Sequence, residues 1–322
     1  MSVRVSGNHL VNGAGQTIRL LGVNGSTGSA YMCVSAYGLV DGDAGQAAAI
    51  RSWHANAVRI NLNEDCWLNI NGVPAGYGGA PYVNAVINEV NILHQQNLYV
   101  ILDLHWNAPG GTLAIGQLPM ADADHSPTFW RSVATTFKND PAVVFDLYNE
   151  PYGISWACWR DGCGSPGWQT AGMQSLVNAV RSTGATQPIM VGGLDWSNDL
   201  SQWLAYRPTD PSGQLVASSH VYPDNACNYA ACWDSVYAPI TAQFPMVTGE
   251  TGSQDFPCTA NFVATYLPWA DAHGVSYTPW VWEPWGCSPG SFQALIATNG
   301  SSSNPIPTAY GAWVRAHLMA VN

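Results

Sequence analysis

The chain has 322 residues, of which 47% are hydrophobic and 10% are charged, and its formal net charge is −11. An acidic surface repels the phosphates of nucleic acids and anionic lipids, so neither a nucleic acid nor a membrane is expected as a partner. No apolar run reaches the roughly 18 residues that a membrane span needs. The length suits either two ordinary domains or one large α/β barrel.

Short β-branched segments alternate with longer helical stretches along the whole chain. Strands are predicted at residues 18–23, 57–60, 99–103, 143–147, 189–191, 215–218, 246–248 and 276–281. Helices are predicted at residues 44–54, 82–96, 127–138, 168–182, 200–205, 233–243, 259–273 and 307–319. Eight βα units with no linker between them predict a single (β/α)8 barrel domain over residues 1–322. Residues 3–11 and the turn at 12–15 predict a short N-terminal β-hairpin that closes the barrel floor.

Eight cysteines indicate an oxidising compartment. Their spacings lack the tight pairs and the histidine partners of a zinc site, so disulfides are favoured over zinc. Each cysteine follows a predicted strand and precedes the next helix, which is the face where barrel enzymes carry their active sites. Among the many connectivities that eight cysteines allow, we expect Cys33–Cys66, Cys158–Cys163, Cys227–Cys232 and Cys258–Cys287.

The chain begins with neither a basic segment nor a long apolar one, so no signal peptide is visible. Together with the cysteines, this predicts the mature form of a secreted protein. A His-Glu-x-x-His zinc motif and a phosphate-binding loop are both missing from the sequence, so neither a metal nor a cofactor is expected.

Two carboxylates lie directly after apolar segments, Glu150 in Asn149-Glu150-Pro151 and Glu250 in Gly249-Glu250-Thr251. Parallel barrel strands would bring both to the open end of the barrel. Cleavage of a glycosidic bond needs such a pair, because one group protonates the leaving oxygen while the other attacks or activates water. The pair therefore predicts a glycoside hydrolase.

Six short motifs follow the predicted strands or lie within them. They are Val58-Arg59-Ile60, Leu104-His105-Trp106, Asn149-Glu150-Pro151, His220-Val221-Tyr222, Gly249-Glu250 and Trp280-Val281-Trp282. In this order and at this spacing they resemble glycoside hydrolase family 5, the large cellulase family within the retaining clan. The resemblance covers almost the whole chain, and it implies a (β/α)8 barrel that acts on β-linked polysaccharides or oligosaccharides.

The resemblance implies that Glu150 is the general acid/base and Glu250 the nucleophile. Arg59 would then bind Glu250 and keep it ionised, whereas Glu150 needs surroundings that raise its pKa.

The resemblance also implies supporting and substrate-binding roles. Asn149 would hold the sugar 2-hydroxyl, and His220 and Tyr222 would orient the acid and the nucleophile. His105, with Trp106 beside it, would bind the sugar next to the scissile bond, and Trp282 would lie under that sugar.

Other residues near predicted strand ends have no implied role. Trp67 and Trp285 follow strands and are predicted to line further subsites, with a place in the core as the alternative. Asp103 lies two residues before His105 on one strand, where it could orient the histidine or belong to a buried layer.

An open cleft lined by aromatic residues favours internal cleavage, and glucan of the cellulose type is the commonest substrate of the family that the chain resembles. We therefore expect an endo-β-1,4-glucanase. A β-mannanase and an exo-acting or transglycosylating β-glycosidase are the nearest alternatives. A non-catalytic carbohydrate-binding barrel is the alternative from another class, but it would have no need for Glu150 and Glu250 together with Arg59.

Overall fold

The computed structural model describes residues 1–25, 33–36, 42–253, 257–288 and 293–322. Its main sheet contains eight parallel strands that are paired in chain order. These strands are β4 (Gly22–Asn24), β5 (Ala57–Asn63), β6 (Tyr99–Trp106), β7 (Val143–Asp146), β8 (Ile189–Gly192), β9 (Leu215–Val221), β10 (Met246–Thr251) and β11 (Ser276–Tyr277). A parallel bridge between Leu21 and Tyr277 joins the first and last strands and closes the barrel. The predicted (β/α)8 architecture is confirmed.

The barrel strands are buried along their whole length, except that the last residue of β6, Trp106, is half-buried; all seven residues of β5, for example, are buried. Strands that are covered on both faces consist of nearly continuous apolar runs rather than alternating ones, because the barrel interior and the outer helices both need apolar contacts. This is why the sequence pattern located the strands well.

A small antiparallel sheet precedes the barrel and consists of β1 (Arg4–Ser6), β2 (His9–Val11) and β3 (Thr17–Ile18). Its buried Val5 and Leu10 pack against the first residues of barrel strands, among them Ala57 and Tyr99. The predicted hairpin at the barrel floor is therefore confirmed, with a third strand added. Ile18 pairs with Leu10 in this sheet, so the prediction of one barrel strand from residue 18 to residue 23 was wrong. The apolar run in fact spans two strands of different sheets.

Helices follow most of the barrel strands. They are Cys33–Ala36, Ala44–Ser52, Glu64–Leu68, Ala80–Gln95, Ser126–Phe137, Trp156–Asp161, Met173–Arg181, Trp203–Tyr206, Ala230–Cys232, Ala238–Thr241, Val263–Ala272 and Ala309–Val321, with a helical turn at Leu194–Ser197 and a π-helical turn at Trp233–Tyr237. The helix predicted from residue 168 begins only at Met173. Gly172, with a φ of +69°, passes so close to the backbone at Gly162 that a Cβ would lie 2.4 Å from the Gly162 nitrogen, and this contact sets where the helix begins.

The last barrel strand is shorter than predicted. Ladder pairing of β11 ends at Tyr277, but single backbone bonds to the two neighbouring strands continue: the Trp280 N–H donates to the Thr251 carbonyl of β10 at 2.8 Å, and the Trp282 N–H donates to the Asn24 carbonyl of β4 at 2.9 Å. The strand predicted over residues 276–281 was therefore wrong beyond Tyr277. The alternation of strand side chains does not apply to Trp280 and Trp282.

The four disulfides are Cys33–Cys66, Cys158–Cys163, Cys227–Cys232 and Cys258–Cys287, as predicted. All of them lie beyond the carboxyl ends of barrel strands, so they link the loops of one face. Within the described ranges, none of the helices combines the length and the apolar character that crossing a bilayer requires.

Candidate active site

Arg59, on β5, is the centre of a buried network of charges. Its guanidinium donates hydrogen bonds to Asp146 Oδ2 through Nε at 2.9 Å and to Glu250 Oε1 through Nη1 at 2.8 Å. Its Nη2 also forms an ion pair with Asp103 Oδ1 at 3.1 Å. Burial alone would lower the pKa of Arg59, but the negative charges of these three carboxylates outweigh it and raise that pKa. One permanent cation thus faces three buried acidic side chains.

Two asparagines complete the contacts of Arg59. Asn24, at the end of β4, accepts a hydrogen bond from Nη1 at 3.0 Å, and Asn149 accepts one from Nη2 at 2.9 Å. The Asn149 amide also donates to Gln117 Oε1 at 2.8 Å. The guanidinium is therefore held by five side chains from five segments of the chain, which gives it one orientation.

Glu250 lies on β10 immediately after an irregularity in the pairing with β9, where the register shifts between Thr248 and Glu250. The Asn24 amide donates to the Gly249 carbonyl at this point at 2.5 Å. A bulge of this kind redirects a side chain, and here the carboxylate reaches both Arg59 and the Tyr222 hydroxyl, which donates to Oε2 at 2.9 Å. Both carboxylate oxygens of Glu250 therefore accept a hydrogen bond.

Glu150 follows β7 and has different surroundings. Its Oε1 lies 2.9 Å from Nδ1 of His220, and burial raises the pKa of Glu150 to about 7, although the nearby His105 and Arg59 oppose the shift. Burial also lowers the pKa of His220 to about 3, so His220 is neutral near pH 7. Within the described part of the chain, the buried Nε2 of His220 has no hydrogen-bond partner.

The two glutamates lie close together at the carboxyl-terminal face of the barrel. A carboxylate oxygen of Glu150, one of Glu250 and a ring nitrogen of His220 all lie within 4.8 Å of one another. His220 Nδ1 is 3.8 Å from Glu250 Oε2, so the imidazole lies between the two carboxylates. The arrangement combines a carboxyl group that holds its proton near pH 7 with a carboxylate bound to a cation.

A cleft of about 510 Å³ opens over this pair. The side chains that line it include His105, Trp106, Gln117, Asn149, Glu150, Asp195, Trp196, Tyr222, Asp224, Asn225, Glu250, Trp280 and Trp285. The Trp280 ring lies parallel to the His105 ring, with the centroids 5.8 Å apart. Trp196, which is 45% exposed, stacks on Tyr152 with the centroids 4.8 Å apart. Flat rings of this kind are suited to stacking against sugars.

A family model described as cellulase (glycosyl hydrolase family 5) matches residues 11–286, a range that contains every side chain placed around the cleft. The chain belongs to glycosyl hydrolase family 5. Its membership accounts for the order of the strand-end motifs, which the resemblance had already indicated.

Relatives within the family are distant in sequence. The chain is 22% identical over 291 residues to endoglucanase E-5 of Thermobifida fusca, covering 86% of this chain and 56% of that protein. It is 22% identical over 297 residues to a mannan endo-1,4-beta-mannosidase of Cellvibrio japonicus, covering 87% of this chain and 58% of that protein. The chain spans between a fifth and somewhat over half of the length of the curated relatives it matches.

The barrel itself is similar to solved structures of the family. The beta-glucanase SdGluc5_26A of Saccharophagus degradans, in complex with cellotetraose, matches 99% of this chain and 93% of its own at 21% identity, with a TM-score of 0.75. At this identity the likeness supports the shared barrel fold.

The structure places most of the predicted family 5 site residues around the cleft but contradicts two of them. Trp282 is fully buried, packs edge-on against Trp53 at a centroid distance of 4.6 Å, and donates to the Ser302 carbonyl. The prediction that Trp282 lies under the sugar was therefore wrong, and Trp280 takes the place in the cleft. The cause is the early end of β11, after which the backbone turns Trp282 away from the cleft.

Trp67 was also predicted wrongly as a subsite residue. It lies in the helix Glu64–Leu68, packs against Tyr82 and Phe129, and donates to Ser132 Oγ at 3.0 Å. Its position after a strand did not distinguish the cleft from the layer of helices. Trp285, in contrast, lines the cleft and is 38% exposed.

Sequence reasoning missed two polar residues of the site. Asn24 bonds both Arg59 and the Gly249 carbonyl, and Gln117 donates to the Glu150 carbonyl at 3.0 Å in addition to accepting from Asn149. Asn24 does end a barrel strand, which was a usable signal. Gln117 lies in a long irregular segment with no pattern to mark it.

Two groups in the described ranges bring three potential metal-ligand atoms within 4.8 Å: the Glu150, His220 and Glu250 set, and a second set of Glu64, Asp122 and His125. In the second set Asp122 accepts from the His125 backbone at 2.7 Å. Burial raises the pKa of Glu64 well above its usual range, while hydrogen bonds lower the pKa of Asp122 to about 2 against the effect of burial. The expectation of no metal stays a prediction.

Proposed function

We propose that the chain is a retaining endo-β-1,4-glucanase in which Glu150 is the general acid/base and Glu250 is the nucleophile. One observation carries the proposal: oxygens of the two carboxyl groups lie within 4.8 Å of each other, in contrasting electrostatic surroundings. Carboxyl groups of retaining enzymes are about 5–5.5 Å apart, whereas inverting enzymes need roughly 6.5–9.5 Å to admit a water molecule. The short separation supports double displacement.

In the first step, Glu250 attacks the anomeric carbon and forms a covalent glycosyl-enzyme. The Arg59 guanidinium and the Tyr222 hydroxyl hold one carboxylate oxygen each, which aims the nucleophile. In the second step a water molecule attacks the anomeric carbon and displaces the Glu250 carboxylate, while Glu150, which lost its proton to the leaving group, takes a proton from that water.

Glu150 must deliver its proton from a defined oxygen. Because the buried Nε2 of His220 has no hydrogen-bond partner among the described residues, the ring proton belongs on Nδ1, which then donates to Glu150 Oε1. The acidic proton of Glu150 is left on Oε2. A raised pKa of about 7 keeps that proton in place at mildly acidic pH.

We propose that Asn149 binds the sugar 2-hydroxyl. Its Oδ1 accepts from Arg59 and its Nδ2 donates one hydrogen to Gln117, so the other hydrogen of Nδ2 is the one proposed to reach the sugar. A hydrogen bond at the 2-hydroxyl strengthens as the oxocarbenium-like transition state forms.

The aromatic residues of the cleft support binding of a polysaccharide on both sides of the scissile bond. Trp196 is hydrogen-bonded through its backbone N–H to the Pro151 carbonyl, directly beside Glu150, so we assign it to the side of the leaving group. Trp280 and Trp285, whose ring centroids are 6.4 Å apart, line the cleft together with His105, and we assign these three residues to the side away from the leaving group. Sites on both sides of the bond favour internal cleavage. The cellotetraose complex of the Saccharophagus enzyme supports a β-glucan as the substrate.

A β-mannanase is the second candidate, supported by the similarity to the mannosidase of Cellvibrio japonicus over 87% of the chain. The catalytic pair would be the same, since only the 2-hydroxyl is inverted between the two sugars. We also infer that the enzyme acts outside the cell, since four disulfides are typical of oxidising compartments.

The direct test is hydrolysis of carboxymethyl cellulose, mannan, xylan and mixed-linkage β-glucan, followed by release of reducing ends and by loss of viscosity. We expect the highest rate on a β-1,4-glucan and an early fall in viscosity. Proton NMR of the first product should show the β-anomer. An α-anomer would exclude double displacement, and a preference for mannan would select the second candidate.

Variants separate the two glutamates. Glu250→Ala should abolish hydrolysis, whereas Glu150→Ala should keep some activity on substrates with a good leaving group and form a β-glycosyl azide when azide is added. Asp161→Asn, at an exposed carboxylate, is the matched control and should behave as the parent enzyme. Formation of the β-azide by Glu250→Ala instead would reverse the two roles.

A further inference from the structure

Asp103, on β6, touches two parts of the site that the proposed mechanism treats separately. Its Oδ1 forms the ion pair with Arg59 Nη2 at 3.1 Å, and its Oδ2 lies 2.7 Å from Nδ1 of His105. The side chain is fully buried. One carboxylate therefore contacts both the cation beside the nucleophile and the histidine that lines the sugar cleft.

The short contact determines where His105 carries its hydrogen. A carboxylate can only accept, so Nδ1 at 2.7 Å must be the donor. The Asn61 amide lies 3.0 Å from the same Nδ1 and 3.2 Å from Asp103 Oδ2, which fits two donors that converge on one carboxylate oxygen. If the hydrogen were on Nε2 instead, a lone pair of His105 Nδ1 would face a lone pair of Asp103 Oδ2 with the two atoms 2.7 Å apart. Burial lowers the pKa of His105 to about 4, so the ring is neutral and Nε2 carries a lone pair.

We propose that Asp103 is a positioning residue that locks His105 in the Nδ1–H tautomer, so that Nε2 accepts a hydrogen bond from a sugar hydroxyl. The part of this inference that concerns the sugar rests on the proposed function. The tautomer itself does not, because it follows from contacts within the protein.

The structure predicts what an amide at this position would do. In Asp103→Asn the carbonyl oxygen must face Arg59, because a guanidinium only donates. The amide NH2 then faces His105 Nδ1, which has to become an acceptor. The ring hydrogen moves to Nε2, and the group that the sugar meets changes from acceptor to donor.

Asp146→Asn is the matched control. Asp146 is likewise buried and accepts a hydrogen bond from Arg59 at 2.9 Å, but from Nε rather than from Nη2. Asp146 lies on β7, the strand next to β6. Both variants therefore remove one negative charge beside Arg59. Only Asp103→Asn also replaces the acceptor of His105.

The tautomer is measured by ¹⁵N NMR of the histidine rings in the substrate-free protein, with the His105 signals assigned by their loss in His105→Gln. In the parent protein and in Asp146→Asn, Nδ1 should be protonated and Nε2 should not. In Asp103→Asn the ring hydrogen should instead be on Nε2, with Nδ1 unprotonated. A protonated Nε2 in the parent protein would overturn the proposal even if Asp103→Asn did not fold, and so would an unchanged tautomer in Asp103→Asn.

Kinetics test the consequence for the sugar. We expect Asp103→Asn to lower kcat/KM by about 10- to 100-fold more than Asp146→Asn does, the range for a lost hydrogen bond to a charged or reacting group. In a His105→Gln background this additional loss of kcat/KM should disappear, because Asp103 then has no histidine tautomer to fix. An excess that persists there would show that Asp103 does not act through His105. A parent enzyme that is inactive on every β-glycan would refute the proposed function and leave the NMR result standing.

Discussion

Replacement of Arg59 tests the buried charge network most directly. Arg59 makes four hydrogen bonds, to Asn24, Asp146, Asn149 and Glu250, from three nitrogens of one rigid plane. A lysine has three donors on one nitrogen, so at least one buried acceptor loses its partner. Each such loss costs about 1–3 kcal/mol, and Arg59→Lys should therefore lower the free energy of unfolding by at least that amount at pH 7.

Arg59→Met removes the cation altogether and leaves Asp103, Asp146 and Glu250 without a counter-charge. The loss of one partner from a buried ion pair costs about 3–5 kcal/mol, so this variant should be clearly less stable than Arg59→Lys. Protonation of these unpaired carboxylates relieves their mutual repulsion. The loss in free energy of unfolding relative to the parent should therefore become smaller when the pH is lowered from 7 to 5.

Urea unfolding followed by far-ultraviolet circular dichroism gives the stabilities, and hydrolysis of the best substrate gives kcat/KM. Arg131→Lys is the control, since Arg131 is exposed and donates a hydrogen bond to the Thr128 hydroxyl on its own helix, and it should lie within about 0.5 kcal/mol of the parent. If Arg59→Lys kept both the stability and the activity of the parent enzyme, the reasoning about the five-partner network would be refuted.

Three further predictions follow from single contacts. Activity should fall as the pH rises through about 7, because Glu150 loses its proton there. Folding raises the pKa of Glu150 from 4.5, so the ionised form of Glu150 destabilises the folded state at higher pH. Glu150→Gln should therefore be inactive, yet more stable than the parent at pH 8. Trp280→Ala should raise KM with little change in stability, whereas Trp282→Ala should cost about 3–5 kcal/mol in urea unfolding, and the reverse pattern would restore the original assignment of Trp282. Gly249→Ala should lower kcat by at least about tenfold, because its Cβ would lie 3.1 Å from His220 Nε2 and displace the ring that orients the acid; parent-like kinetics would contradict this.

The order of the barrel strands and the positions of the two glutamates proposed as the catalytic pair could be predicted from the sequence, because both are local signals. A strand buried on both faces consists of a continuous apolar run, and the residue that follows such a run lies at the carboxyl-terminal face in any parallel barrel. This is why Glu150 and Glu250 were found without a structure. The cysteine positions followed from the same register.

Only the tertiary structure decided which tryptophan faces the cleft and how the charges are shared. Trp280 and Trp282 have different surroundings although they are two residues apart, and the backbone of their segment is held by hydrogen bonds to Thr251 and Asn24, far away in the chain. The raised pKa of Glu150 likewise comes from burial by the surrounding elements, which no local pattern records. A residue's neighbours along the chain determine its strand or helix, but its pKa and its partners depend on groups that folding brings to it from elsewhere.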